Sequence, residues 1–344
     1  MNIKGQFNNN RGFGVEIEFL RPMNVSKQDI CDALPFDAEE EGYNHETREH
    51  WKLTSDGSVF SYPARQIRGL HNGFYGSNEF VSPILYGEAG LEQLKIVLDK
   101  LNELGCKVNY TCGIHVHHDV TANMLKGQKH SEKFLANLVK FVAKYEHIIY
   151  KLVSPSRLDT RNYSTPVRKD FLGVNSNNYN VTDRRVKEMI RKVKSDCRRK
   201  YSRSGAINEN QTYPRVQRRR ACGLNFQNVW TRGSVEFRYD NGSTNFEEIA
   251  SWVVLTQAIV NAVEDTKSVK ITYVPNNVDG LFYLRKAIGF VGNTNRDDVT
   301  EMATNYVTKR FKEMSNREND YSRHFNYEYV KDGIRQGAYY QGLI

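Results

Sequence analysis

Alternating hydrophobic and polar positions predict β-strands in several parts of the chain. In residues 13–19, FGVEIEF, the apolar side chains point one way and the carboxylates of Glu16 and Glu18 the other, which is the period-two pattern of a strand with one wet face. The same pattern predicts strands at residues 51–54, 79–85, 106–120, 224–230 and 234–239. The tripeptide 231–233, Thr-Arg-Gly, is typical of a hairpin turn between the last two.

Apolar residues spaced three and four apart predict helices between and after these strands. The clearest stripe runs through residues 88–104 and ends at Gly105, a residue type that commonly ends helices. The pattern predicts further helices at residues 131–152, 181–200, 247–263, 281–288 and 296–314. This order of elements indicates an α+β fold, with an antiparallel or mixed sheet and flanking helices.

Length and polarity argue against a membrane protein. The 344 residues are 39% hydrophobic, and the longest uncharged stretch, residues 249–263, has 15 residues, whereas a membrane-spanning helix needs about 17–25. Residues 1–20 lack the apolar run of a secretory signal, so we expect a cytoplasmic location. The Asn- and Tyr-rich composition suits a phage-encoded protein, for which this would be the host cytoplasm. The five cysteines form no CxxC pair, which predicts reduced, structural thiols.

The positive charge is concentrated in one segment. The chain has a net charge of +9, but residues 184–220 hold 14 Lys and Arg against three acids, so the other residues are slightly acidic. Residues 181–220 therefore form a basic insert. Its helix, at 184–200, would suit a nucleic acid or another acidic polymer. An ordinary solvated surface is the alternative interpretation of the same charges.

Polar side chains two residues apart mark three predicted strands, and both members of such a pair project from one face of a strand. The pairs are Glu16 with Glu18, His115 with His117, and Glu236 with Arg238. Carboxylate oxygens with one imidazole suit Mg²⁺ or Mn²⁺. If the strands are neighbours, their acids would repel one another and Glu79 unless cations bind between them.

Each of these signals also has an ordinary interpretation. An ExE pair is usually the solvated face of a strand, HxH is more often structural than catalytic, and EFR is commonly a cross-strand ion pair. The occurrence of all three pairs on predicted strands favours a site. The sequence contains no GxxxxGK[ST] loop, GxGxxG helix opening, GxSxG elbow or HExxH motif, so any use of ATP would rely on metal ions and arginines.

Seven motifs follow one another between residues 11 and 265. They are FGVEIEF, DGS, EFVSPIL, VNYTCGIHVHHDV, SPSR, RACGLNF and GSVEFRYDNGSTN. In this order they resemble the putative amidoligase family, which belongs to the carboxylate–amine ligase superfamily together with glutamine synthetase and glutamate–cysteine ligase. The sequence departs from the family at Ser164, where members often have a cysteine.

The resemblance implies a glutamine-synthetase-like catalytic sheet in a domain of residues 1–265. It also implies an ATP-dependent ligation, in which a substrate carboxylate attacks the γ-phosphate and an amine then displaces phosphate from the acyl phosphate. The substrates expected are an amino acid, a peptide or a modified nucleotide. Residues 266–344 carry no such motif and are expected to form a helical extension on the same domain. The oligomeric state stays open.

The resemblance also implies roles for individual residues. Metal ligands are expected at Glu16, Glu18, Glu79, His115 and Glu236, with Glu16 and Glu18 on different ions, Glu79 completing one site, and His115 with Glu236 the other. Contacts to phosphate or substrate are expected from His117, Arg220 and Arg238. Arg157 in SPSR and Asp56 in DGS match family positions and join the candidate catalytic residues.

Two other functions remain compatible with the sequence. A basic nucleic-acid-binding protein would use the segment 184–200 and the tyrosines, with the acid pairs as ordinary strand faces. A metal-dependent nuclease or hydrolase would use the same acids without forming an amide. A binding protein alone does not explain acids and imidazoles aligned on three strands.

Overall fold

In the computed structural model, a seven-stranded β-sheet forms the centre of the protein. The structure describes residues 5–44, 46–59, 74–109, 111–154, 157, 164–168, 172, 181–204, 222–264, 266–292 and 296–315, with the backbone alone at 74–77, 196–204 and 315. The strands are β1 (Phe13–Pro22), β2 (Ala38–Glu40), β3 (Trp51–Thr54), β4 (Phe74–Val81), β5 (Gly113–Asp119), β6 (Leu224–Asn225) and β7 (Ser234–Asn241).

The strand order is β2-β3-β4-β1-β5-β7-β6. Neighbouring strands are antiparallel except β2 and β3, which are parallel. The helices are α1 (Lys27–Asp32), α2 (Gly87–Glu103), α3 (Thr121–Leu125), α4 (Gln128–Tyr150), α5 (Asp183–Ser204), α6 (Phe246–Glu264), α7 (Val278–Ile288) and α8 (Asp298–Ser315). The predicted α+β class is confirmed.

One face of the sheet and the helices α2, α4 and α6 enclose the hydrophobic core. On β1, Val15, Ile17 and Phe19 are at most 1% exposed and form one cluster with apolar residues of these helices. The alternation along the strand directs Glu16 and Glu18 to the opposite face. Glu18 is only 3% exposed there, so this face is not the solvated surface that an isolated ExE pair would indicate.

β4 ends earlier than predicted and β5 begins later, because local features interrupt the hydrogen bonding between strands. β4 stops at Val81 and not at residue 85, because Pro83 has no N–H to donate. β5 begins at Gly113 and not at residue 106, because the N–H of Cys112 bonds back to the carbonyl of Asn109 in a turn (3.0 Å). The predictions of strands at 79–85 and 106–120 were therefore wrong at these ends.

The predicted hairpin forms, but its first strand is short. β6 contains two residues, and a 3₁₀ turn follows at Gln227–Trp230. The Asn225 side chain accepts the N–H of Gln227 (3.0 Å), and such local side-chain bonds compete with a strand ladder. The pattern of polar and apolar residues does not reveal this competing hydrogen bond, so the strand predicted at 224–230 was too long.

Helix α5 carries one apolar stripe and a charged outer face. Val186, Ile190 and Val193 are buried, and the helix contacts α4. On the outer face, the guanidinium of Arg191 pairs with Glu132 of α4 (2.7 Å). The helix predicted at 181–200 is confirmed and continues to Ser204, whereas residues 205–220 of the basic insert lie outside the described residues.

Helices α7 and α8 follow the sheet in the chain and pack against the same unit. α8 contacts α6, and Val307 and Phe311 of α8 belong to the hydrophobic core. The N–H of Phe7 donates to Asp297 Oδ2 (3.1 Å) and Thr300 Oγ1 (3.0 Å). The domain boundary at residue 265 stays a prediction. Among the described helices, none has the length and apolar character needed to cross a membrane.

Candidate active site

The face of the sheet opposite the core brings the predicted polar side chains into one row. Glu16 on β1 lies between Val81 of β4 and His115 of β5, and Glu18 lies opposite Glu79. His117 pairs with Glu236 of β7. The strands that carry these side chains are direct neighbours, as the sequence-based hypothesis of a common site required.

Glu16 is the centre of this row. Its Oε2 lies 2.8 Å from His115 Nδ1, and its Oε1 lies 3.1 Å from His117 Nε2. His115 also lies 3.7 Å from Glu18 Oε1 and 3.8 Å from Glu236 Oε1. Both imidazoles therefore contact the same carboxylate, and His115 adds contacts on either side of it.

Four groups of described side chains offer ligand atoms that lie within 4.8 Å of one another, and three of these groups belong to this row. These three are Glu16 with Glu79 and His115, Glu16 with His117 and Glu236, and Glu18 with Asp56 and Glu79. Glu16 belongs to the first two groups and Glu79 to the first and third. The shared carboxylates make this a continuous cluster of adjacent candidate cation sites.

The cluster differs in detail from the expected ligand sets. Glu16 and Glu18 fall in different groups, as the resemblance implied, and Glu79 groups with each of them. His117, which was expected to contact phosphate, lies with Glu16 and Glu236. Asp56 is a ligand candidate through Glu18 and Glu79. The assignment of individual ligands to individual ions stays a prediction.

Burial and mutual repulsion act on the acids on the β4 side of the cluster. Burial, followed by the charges of Glu16, Glu18 and Asp56, raises the pKa of Glu79 well above its ordinary value. Burial also raises the pKa of Glu18. In both groups burial is the largest cause of the shift, and the charges of neighbouring acids add to it.

The acids on the β7 side have cationic neighbours. Burial alone would raise the pKa of Glu16, but the charge and hydrogen bonds of His117 and His115 hold it well below its usual range. Burial is likewise outweighed at Glu236, where the Arg238 guanidinium lowers the pKa to about 2. The two ends of the cluster therefore have different electrostatic environments.

The donor set fits divalent cations. Buried carboxylate oxygens with one or two imidazole nitrogens are suitable ligands for Mg²⁺ or Mn²⁺. A cation between Glu79 and Glu18 would offset the charges of the neighbouring acids, which add to burial in raising the pKa of both groups. The described thiols are not part of the cluster, which argues against a site designed for a soft metal.

Arg238 and Asn225 fix the orientation of Glu236. The Arg238 guanidinium bonds to Glu236 Oε1, and the Asn225 amide donates to Oε2 (2.7 Å). Arg238 is half-buried and lies on the same face as the cluster, since it is two residues from Glu236 on β7. It is therefore placed beside the cation sites, where a phosphate or carboxylate could contact it.

Arg157 is buried against β7, near Glu18 of the cluster. It is 3% exposed, and its guanidinium donates to the carbonyls of Arg238 (2.8 Å) and Tyr239 (3.3 Å). A Cβ on Gly113 would come within 3.1 Å of the same guanidinium, so the glycine allows this close approach. The placement favours a positioning role for Arg157 over contact with substrate.

A family model described as "Putative amidoligase enzyme" matches residues 9–260. The chain belongs to this family. The match spans every strand of the sheet and all residues of the cluster, and the family that the motifs resembled is confirmed. Helices α7 and α8 lie outside the match.

Other comparisons add little to the amidoligase assignment. No curated protein sequence matches the chain. A bifunctional glutathione synthetase from Pasteurella multocida is similar in structure with a TM-score of 0.44 and 11% sequence identity. The similarity covers 97% of this chain and 52% of that protein, so the chain spans about half its length. A likeness this remote carries no conclusion about the amidoligase site.

Two buried polar residues near the candidate site were missed in the sequence. Lys52 of β3 is 2% exposed, and its ammonium donates to the Asn44 carbonyl and side chain (3.1 and 2.9 Å) and to the Glu46 carbonyl (3.0 Å). Asn225, which orients Glu236, was missed as well. For Lys52, the available signal was a lysine within a strand whose other residues are buried. Arg220 lies outside the described residues.

A buried carboxylate on α4 supports the segment that contains Arg157. Glu146 accepts hydrogen bonds from the Tyr239 hydroxyl (2.6 Å) and from the N–H groups of Val167 (2.7 Å) and Arg168 (3.2 Å). The fully buried Ser164 donates to the carbonyl of Arg157 (2.8 Å). At the position where family members often have a cysteine, this chain therefore has a structural hydroxyl.

Glu146 should make stability depend on pH. Burial raises its pKa to about 7, so between pH 4.5 and 7 the folded state retains a proton that the unfolded state has lost. Stability from this group is complete below pH 4.5 and decreases as pH rises, by about 3 kcal/mol in total. Urea unfolding in EDTA at pH 5 and pH 7.5 should show that Glu146→Gln removes this part of the decrease. If the free energy of unfolding changed equally with pH in the wild-type protein and in Glu146→Gln, this prediction would be wrong.

Proposed function

We propose that the protein is an ATP- and Mg²⁺-dependent ligase that joins a carboxylate and an amine as an amide. The observation that carries the proposal is the row of cation sites that share Glu16 and Glu79, with Arg238 on the same face of the sheet. Membership of the amidoligase family supports a ligase. We further propose that the antiparallel part of the sheet is a glutamine-synthetase-like catalytic sheet, as the motifs suggest.

The proposed reaction has two steps. An oxygen of the substrate carboxylate attacks the γ-phosphorus of ATP, and ADP leaves with the electrons of the broken P–O bond. The amine nitrogen then attacks the carbonyl carbon of the acyl phosphate, phosphate leaves, and the nitrogen loses a proton. The net products are an amide, ADP and phosphate.

The protein residues would act mainly through charge and position. Bound Mg²⁺, or Mn²⁺ in its place, would neutralise phosphate oxygens and orient them. Glu16, Glu79 and Glu236 would hold the cations, and His115 and His117 complete their surroundings. Arg238 would neutralise charge on the phosphate or on the substrate carboxylate. Arg238 is already held by Glu236, and Arg157 by main-chain carbonyls. The two guanidinium groups would therefore need little reorganisation when substrate binds.

The same acids would also suit a metal-dependent hydrolase. A hydrolase would produce a cleaved substrate without converting ATP to ADP, so the nucleotide product distinguishes the two functions. The substrates proposed for the ligase are an amino acid, a peptide or a modified nucleotide. A cytoplasmic location remains a prediction.

ATP together with Mg²⁺ should stabilise the protein against heat. A ligand at 100 times its Kd adds about 2.7 kcal/mol, which corresponds to a rise in Tm of about 4 °C for a protein of this size. Differential scanning fluorimetry should show the rise with ATP and Mg²⁺ and its loss in EDTA. Glu236→Gln should abolish the rise, whereas Glu92→Gln on the exposed side of α2 should retain it. The absence of a rise with every nucleotide tested would contradict the proposal.

A further inference from the structure

A groove between α7 and α8 lies outside the part of the chain that the amidoligase family model matches. It has a volume of about 520 Å³. The residues that line it are Arg285, Asn305, Thr308, Lys309, Lys312 and Glu313. Three of the six are cationic, and none belongs to the cluster on the sheet. The groove is therefore made of different residues from those proposed to act in the ligase reaction.

The cations of the groove have no partners among the described residues. Arg285, Lys309 and Lys312 make no ion pair with any described acid, and Arg285 Nε is buried without a hydrogen bond. Glu313, the acid of the groove, lies 3.8 Å from Arg310. The groove thus presents positive charge that is not paired with any acid in the described part of the chain, and such charge favours an anionic partner.

Two exposed aromatic side chains lie on α7, the helix that contributes Arg285 to the groove. Phe282 and Tyr283 are 45% and 48% exposed, and their rings lie edge to face with centroids 6.1 Å apart. Phe282 lies three residues before Arg285 and four before Lys286, so the three side chains share one face of the helix. Val278, one turn earlier on this face, is 65% exposed.

Exposed aromatic rings beside unpaired cations match the requirements of one class of ligand. Single-stranded nucleic acids present phosphates that bind Lys and Arg and unpaired bases that stack on aromatic rings. A free phosphate would not use the rings, and a duplex keeps its bases inside. We propose that the face of α7 with Phe282, together with the groove beside α8, binds single-stranded nucleic acid.

Fluorescence anisotropy with a labelled 20-nucleotide oligothymidylate tests this on the full chain. Lys309→Glu with Lys312→Glu should weaken binding at least tenfold and reduce the slope of log K against log salt by about 1.4, since each phosphate contact contributes about 0.7. Phe282→Ala should weaken binding roughly tenfold, because one stacked base is lost. Circular dichroism should show unchanged folding, since all three residues are at the surface.

Matched variants on helix α4 provide the control. Lys129→Glu with Lys133→Glu changes charge by the same amount at two exposed positions on a different surface and should leave binding within a factor of three. An equal loss in this control would show diffuse attraction and overturn the assignment. Three other results would also overturn the assignment. They are unchanged binding in Phe282→Ala, equal affinity for duplex DNA, and displacement of the oligonucleotide by polyglutamate at equal charge. ATP turnover by the Lys309 and Lys312 variant should stay normal, which separates this test from that of the ligase.

Discussion

Replacing Glu16 by Gln should reduce ATP-dependent amide formation by about 10³-fold. Glu16 belongs to two of the three candidate cation groups, and the substitution keeps its shape but removes its charge. Loss of several kcal/mol of metal-mediated charge stabilisation corresponds to this factor. Phosphate release from ATP in the presence of a carboxylate and hydroxylamine measures the first step without knowledge of the natural amine. Titration calorimetry with Mn²⁺ should show at least one binding site lost.

A second acidic group provides the control for this prediction. Glu39, Glu41 and His50 also lie within 4.8 Å of one another, but on the edge of the sheet. Glu39→Gln changes the same chemical group at an exposed position and should leave turnover and Mn²⁺ binding at the cluster unchanged. If Glu16→Gln retained more than a tenth of the wild-type rate, Glu16 would not be a shared metal ligand.

Replacing Glu79 by Gln should have opposite effects on stability without and with metal. In the metal-free protein, burial and the neighbouring acids raise the pKa of Glu79, so stability from this group is lost as pH rises above about 4.5. The amide cannot ionise, and the variant should be the more stable protein at pH 8 in EDTA. With Mn²⁺ present, the variant should lack the stabilisation of about 2.7 kcal/mol that a cation at 100 times its Kd provides.

Urea unfolding at pH 8 with EDTA or with Mn²⁺ measures both effects in the same protein. Glu92→Gln on α2 is the control, because its side chain is exposed and outside the cluster. A Glu79→Gln protein that is less stable under both conditions would show that the carboxylate has a structural role. A protein that is more stable in EDTA and still stabilised by Mn²⁺ would show that the cation binds elsewhere.

The ligand candidates could be predicted from the sequence, but their grouping could not. Period-two alternation shows that Glu16 and Glu18 share a face, and the same holds for His115 and His117. Which strands are neighbours depends on pairing between segments that are far apart in the chain, as for β1 with β5. Asp56 reaches the cluster from a turn after β3, where no periodicity indicates the direction of a side chain.

The residues that were missed act through bonds that have no sequence period. Asn225 ends a strand and orients Glu236 with the same side chain, since its Oδ1 accepts a main-chain N–H while its Nδ2 donates to the carboxylate. The sequence pattern places Lys52 in a strand, but it does not show that the ammonium of this lysine donates to the loop at Asn44 and Glu46. Position in the fold decides such roles, and position is a tertiary property.

The packing of α8 on α6 means that the boundary of the sequence family is not the boundary of the folding unit. The family match ends at residue 260, within α6, whereas Phe311 and Val307 of α8 cover part of the core. The bonds from Phe7 to Asp297 and Thr300 join the beginning of the described chain to this helix. A minimal protein designed for expression should therefore extend to residue 315, because a cut at the family boundary would expose the apolar side of α6 to water.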